Sequence, residues 1–213
     1  MKAVEEWRYE TIGKEACEAL KRSGFDARFV LRGGEALELI ASFVKPGMKV
    51  GFGGSMSLRA IGAPEKVKAL GAEVLDHNAP GLEPSEKLDI LRAQLTCDLF
   101  LSSSNAVTLE GDMVNVDGNG NRVAALTFGP RKTVVVVGAN KIVRDLDEAL
   151  SRLETVAAPM NNKRLNRPNP CVKSGTCEDC RLETRICRVY QILRRKPTLS
   201  DFTVIVVGEP LGF

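Results

Sequence analysis

Aromatic residues are scarce in this chain. One Trp, two Tyr and eight Phe make up 5% of its 213 residues, and His77 is the only histidine. With so few aromatics, Ala, Val and Leu carry the apolar load, as around a parallel or mixed sheet. Nucleic-acid binding is disfavoured, because no aromatic stacking motif and no recognition helix can be found. No apolar run reaches the roughly 18 residues that span a bilayer. Residues 1–22 are charged and read as a helix, without the apolar segment of a signal peptide. A reducing cytoplasm is therefore the expected setting, where clustered cysteines bind metals more often than they form disulfides.

Hydrophobic residues make up 44% of the chain, enough for one globular domain with an appended segment. The net charge of +3 is unevenly spread. Residues 159–196 hold ten Lys and Arg against three acids, a local +7, so the remainder carries −4. A basic segment suits nucleic acid, or it offsets the charge of a thiolate-bound cluster.

The pattern along the chain alternates strands and helices. Helices are expected over 2–22, 35–44, from 56, after Pro64, and over 84–95 and 146–156. Strands are expected at 25–30, 49–52, 73–75, 98–102, 133–137 and 203–207. Met113–Val116 and Arg122–Leu126 read as the arms of a hairpin turning on Asp117-Gly118-Asn119-Gly120-Asn121. Residues 159–175 are poor in apolar residues, and a helix is expected over 181–194. The predicted fold is an open mixed or parallel α/β sheet flanked by helices. Residues 1–158 with 200–213 would form the α/β domain, and 159–199 a Cys-rich metal-binding segment.

Four of the six cysteines fall within 17 residues, as Cys171-x5-Cys177-x2-Cys180-x6-Cys187. The C-x2-C pair can present two sulfurs from one turn of chain, and the outer two can close the site. Four thiolates suit a four-iron cluster or tetrahedral zinc. The spacing matches neither common ferredoxin pattern nor a two-pair zinc ribbon. The surrounding Arg residues favour iron–sulfur; zinc, or free thiols or a disulfide, are the alternatives. Cys17 and Cys97 are isolated and read as buried, inert thiols.

The run Val50-Gly51-Phe52-Gly53-Gly54-Ser55 is a strand, a glycine turn and a helix start. It suits close approach of an anionic ligand, but it is neither a dinucleotide fingerprint nor a P-loop. Ligands of open α/β sheets sit beyond the carboxyl ends of the strands. That places Ser104, Asn105, Thr108, Asn140 and Lys141 at one crevice with Gly51, Gly53, Gly54 and Ser55. Each also has an ordinary reading as a turn former or helix cap. Glu110 is the one carboxylate considered for covalent or acid–base work, against a reading as a solvated turn residue. His77 reads as a structural hydrogen-bonding residue. Asp117-x-Asn119-x-Asn121 imitates an EF-hand start but lacks its later Gly and Glu, so it reads as turn chemistry.

Several stretches resemble one family: residues 74–78 (VLDHN), 104–111 (SNAVTLEG), 115–125 (NVDGNGNRVAA), 128–132 (FGPRK) and 137–143 (VGANKIV). They are similar to the LUD-domain family, named for lactate utilisation. Gly175-Thr176-Cys177-x-x-Cys180 with Arg185-Ile186-Cys187 resembles a cysteine-bearing subgroup. The resemblance implies a fold like that of the glucosamine-phosphate isomerase, ribose-phosphate isomerase and CoA-transferase superfamily, whose members bind sugar phosphates or CoA esters. It further implies a redox accessory role beside iron–sulfur subunits that oxidise lactate, with a small anionic ligand in the crevice and room for a homo-oligomer. The shorter lactate-operon members do not depend on such a tail. As an enzyme, the chain would be an oxidoreductase component or CoA-transferase-like, with Glu110 as its nucleophile and a structural zinc. A zinc-braced nucleic-acid binder ranks last.

Overall fold

The computed structural model describes residues 1–213. Its centre is a six-stranded sheet in which every pairing is parallel. The strands are β1 (Asp26–Val30), β2 (Lys49–Phe52), β3 (Glu73–Leu75), β4 (Leu99–Ser102), β7 (Lys132–Gly138) and β10 (Asp201–Val207). Their order across the sheet is β1-β10-β7-β4-β2-β3. The apolar, β-branched runs of β7 and β10 are interior strands, buried on both faces as parallel strands require.

Alternation along those strands builds two cores. Val135, Val137, Val204 and Val206 face Ala16, Cys17 and Leu20 of α1 (Lys2–Arg22). Val134, Val136, Ile205 and Val207 face the other way, toward Ala36 and Ile40 of α2 (Gly33–Phe43). Leu58 of α3 (Met56–Ala60) and Val67 of α4 (Ala63–Ala69) complete that second core. One step of register would exchange both sets. No helix is long and apolar enough to cross a membrane.

A second, four-stranded sheet sits beside the first, in the order β8-β5-β6-β9. It comprises β5 (Ala106–Thr108), β6 (Met113–Asp117), β8 (Ile142–Val143) and β9 (Val189–Leu193). The helix α7 (Leu146–Arg152) covers one face with Ala149, and Leu153 just beyond it joins that contact.

Two expected elements differ. Residues 122–126 are not a hairpin arm but part of the helix α6 (Asn121–Thr127). Gly120 at φ +80° turns the chain, and the Asp117 carboxylate accepts the Val123 N–H at 3.0 Å, fastening the first turn. Val123, Ala125 and Leu126 are then buried at helical spacing. Residues 181–194 are not a helix either. They run irregularly to Arg188 and then form β9, antiparallel to β6 from Asp117↔Val189 to Met113↔Leu193. Val189, Tyr190 and Ile192 favour extended backbone, and the edge of β6 supplies the hydrogen bonds. The start of the apolar-poor stretch, residues 158–164, forms α8 (Ala158–Arg164), which continues α7 through a wide turn at Leu153–Ala157.

Candidate functional site

The carboxyl ends of β2, β3 and β4 open onto a cleft of about 280 Å³. Just beyond β2, Gly54 takes φ +70°, a conformation open to glycine at no steric cost. A Cβ on Gly53 would stand 2.6 Å from Ser102 Oγ and 3.1 Å from Arg122 Cγ. Main chain therefore approaches the cleft where a side chain would not fit. Ser55 caps α3, its Oγ accepting the Leu58 N–H at 3.2 Å. α3 has only five residues, so attraction for an anion has to come from side chains rather than from a helix dipole.

Those side chains are present. Lys87, Arg122, Lys141, Arg164 and Arg167 line the cleft with a single acid, Asp117. Asp117 is committed to Arg122 at 2.8 Å, both nearly buried. Arg122 uses all five of its N–H groups. They go to Asp117 Oδ1, Asn115 Oδ1 and Asn105 Oδ1 and to the carbonyls of Ser103 and Val116. It is the hub of the cleft floor rather than a free cation. Arg164 donates only to Asn161 Oδ1, and Lys87 and Arg167 have no acidic partner in the cleft.

Lys141 is 3% exposed and donates to Ser57 Oγ at 2.8 Å and Ser103 Oγ at 3.0 Å. Burial, and then the Arg152 and Arg122 guanidiniums, bring its pKa down to about 7. His77 also lines the cleft, held between Asn78 and Gln94, and burial keeps it below the usual histidine range.

The residues read from the sequence divide into two sets. Gly53, Gly54, Ser55, Ser104, Asn105 and Lys141 line the cleft together. Gly51, Thr108, Asn140 and Glu110 do not. Gly51 lies within β2 against Gln94 and Phe100. The Thr108 hydroxyl accepts the Asp112 N–H at 3.0 Å. Asn140 clasps Leu211 and Gly212 through their main chain. Glu110 is exposed in the β5–β6 turn, where neighbouring Gly111 packs against Ala19 of α1. Sequence reasoning missed Arg122, Arg164 and Arg167 as cleft residues. Arg122 stands directly after the Asp-Gly-Asn-Gly-Asn turn, and only knowing that a helix starts there brings it back over the floor.

The four tail cysteines line a second cavity with Ala158, Pro159, Asn162, Asn169, Arg185 and Ile186. Asn169 fixes its rim, donating to Asn162 Oδ1 at 2.6 Å and accepting from Thr184 Oγ1 at 2.6 Å. Arg185 donates to the carbonyls of Cys180 and Cys187, and the Asp179 N–H points at Cys177 Sγ at 3.3 Å. Burial, then the Cys177 thiol, push Cys187 up to about 11; burial, then Cys180 and Cys177, raise Cys171 as well. The space between the thiols is only about 10 Å³, and no group of three or more His, Cys, Asp or Glu stands in metal-holding geometry. Cys17 and Cys97 lie buried in the core away from this cavity, their thiols raised chiefly by burial.

The two cavities are back to back. Ile186 lines both, and α8 turns Asn161 and Arg164 toward the cleft and Pro159 and Asn162 toward the cysteines.

An open parallel α/β sheet with a polar cleft beyond its strand ends defines the general class: an α/β domain with helices on both faces of its sheet. Within it, the chain belongs to the LUD-domain family, whose model matches residues 13–207. A crystal structure of a DUF162-family protein from Deinococcus radiodurans shares the fold at a TM-score of 0.52. It is 17% identical, and the match covers 93% of this chain and 98% of that one. No curated protein matches the chain.

Proposed function

We propose that this LUD-domain protein is a redox accessory protein of the lactate-utilisation type, working beside iron–sulfur subunits. Cys171, Cys177, Cys180 and Cys187 hold an iron–sulfur cluster of the four-iron kind, and the adjoining cleft takes a small carboxylate or phosphorylated anion. The carrying observation is the convergence of four thiols, from a 17-residue stretch, on one cavity that shares a wall with the cationic cleft. The donor set suits the cluster in number and type; the Asp179 N–H supplies an N–H···S contact, and Arg185, ion-paired to Asp179, brings positive charge beside Cys187. When bound, the cluster supplies one-electron transfer. Thr176, Glu178 and Asp179 are exposed, and the stretch follows Gly175 at φ +80°.

The chain's own residues bind and orient the anion. Arg164, Arg167 and Lys87 attract it, and the Gly53-Gly54 main chain lets it sit close. Ser104 and Asn105 hold the floor through Ala106 and Arg122. The small space between the thiols favours a second reading, a single structural zinc.

Metal and sulfide analysis of protein purified without oxygen tests the proposal. The expected result is a brown protein with about four irons and four sulfides per chain. One zinc without sulfide establishes the second reading instead, and no metal at all defeats both. For the cleft, Gly53→Val drives a side chain into Ser102 and Arg122. It should weaken phosphate binding, measured by calorimetry, by at least about tenfold, or about 1.4 kcal/mol. Unchanged affinity would remove the glycine turn from the site.

A further inference from the structure

Lys141 differs from the other cations of the cleft. It closes the tight turn Ala139–Lys141 after β7, is 3% exposed, and forms no ion pair. The Ser57 hydroxyl donates to the Leu211 carbonyl at 2.9 Å, and the Ser103 hydroxyl to the Ser104 carbonyl at 3.3 Å. With both hydroxyl protons engaged, both oxygens can only accept from Nζ. Two positions on Nζ are thereby fixed, and the third, a proton or a lone pair, is left for the cleft that Lys141 lines.

The charged groups facing this amine are Arg152 from α7 and Arg122 from α6; Ser57 of α3 and Ser103 after β4 complete its surroundings. No carboxylate is against it, since Asp117 is held by Arg122. Burial beside cations is the arrangement that keeps a lysine neutral and nucleophilic at neutral pH.

We propose that Lys141 forms an imine with the carbonyl group of a small anionic aldehyde or 2-oxo acid held in the cleft. The proposal rests on the anion-binding part of the reading above. The Nζ lone pair adds to the carbonyl carbon, and the C=O π pair moves to oxygen. A proton passes from nitrogen to that oxygen, giving a carbinolamine. Its hydroxyl takes a further proton and leaves as water as the nitrogen lone pair forms the C=N bond. Amine, carbonyl and one proton taken from solvent give the protonated imine and water, with no oxidation or reduction. The protonated imine is a buried cation close to Arg122 and Arg152, so a carbonyl compound that brings its own carboxylate or phosphate is selected over a neutral one.

The test is reductive trapping on the intact, anaerobically purified protein, with glyoxylate as the probe and cyanoborohydride as the added reductant at pH 7.5, followed by peptide mapping. At that pH an amine of pKa near 7 is several-hundredfold richer in its neutral form than an ordinary lysine. Lys141 should therefore gain a carboxymethyl group at least about tenfold faster than exposed lysines, allowing for its lower intrinsic reactivity. Inorganic phosphate should slow that labelling, and propionaldehyde should label Lys141 less than glyoxylate does. Lys141→Arg should abolish labelling at this position, which verifies the peptide assignment, and phosphate binding is measured on the unaltered protein. Labelling of Lys141 no faster than of exposed lysines overturns the proposal, as does labelling indifferent to phosphate. Phosphate binding without Lys141 labelling overturns the imine alone and leaves the anion cleft standing. The absence of both overturns the cleft reading with it.

Discussion

Replacing Arg122 with Met is expected to lower the free energy of unfolding by about 3–5 kcal/mol, the usual cost of breaking a buried pair on one side only. The substitution keeps much of the side chain's bulk but removes five donors at once. Asp117, with its side chain 9% exposed, would lose its partner. The Asn105 and Asn115 amide oxygens and the Ser103 and Val116 carbonyls would each lose a charged donor. Urea denaturation reads the effect. Asp117→Asn should cost less, because the asparagine oxygen can still accept from one of its two donors and Arg122 keeps its four other acceptors. The double variant should cost less than the two singles combined, as for residues in one network. A loss below about 1 kcal/mol for Arg122→Met would mean that water replaces the guanidinium and that the hub is not structural.

Ser in place of any one of Cys171, Cys177, Cys180 or Cys187 should strip most of the bound metal, at least about fivefold by iron or zinc analysis, since a four-ligand site left with three holds its metal poorly. Serine is close in size, so the fold around Asn162 and Asn169 should survive, which circular dichroism can verify. Cys17→Ser and Cys97→Ser serve as controls: both thiols lie apart from the cavity, and metal content should not change. Full retention by all four tail variants would end the single-site assignment, whichever metal is present.

The parallel sheet was readable because its period and its boundaries agreed. Thr133–Val137 is too apolar and too branched to be anything but a buried strand, and Gly53-Gly54 and Pro46-Gly47 mark clean stops. The cysteine spacing read as one metal site; all four cysteines line one small cavity, but no three of them stand in metal-holding geometry. The second sheet was harder to read. β5 and β8 have three and two residues, too few to show any period, and they exist because their neighbours lend hydrogen bonds. Arg122–Leu126 follows a strong turn sequence, so local chemistry suggested a returning strand. The Asp117 carboxylate instead accepts the N–H of Val123, six residues on, in the first turn of a helix. The basic stretch around Arg164 and Arg167 read as tail charge. Its delivery to the cleft depends on α8 continuing from α7, a tertiary fact with no local signal. At Ser55, Thr108 and Asn140, the ordinary roles of cap and turn former describe what the side chains do.

The position of β10 has a consequence for synthesis on the ribosome. It lies between β1 and β7, and Thr203 bonds Asp26 across 177 residues of sequence. Until that late strand emerges, the first strand has no neighbour and the central strand has one bare edge, so the sheet closes only once β10 is available. The four tail cysteines leave the exit tunnel while the sheet is still open. Nascent thiols and an unzipped apolar edge coexist for that interval, which makes it the time when the chain most needs reducing surroundings and protection from aggregation.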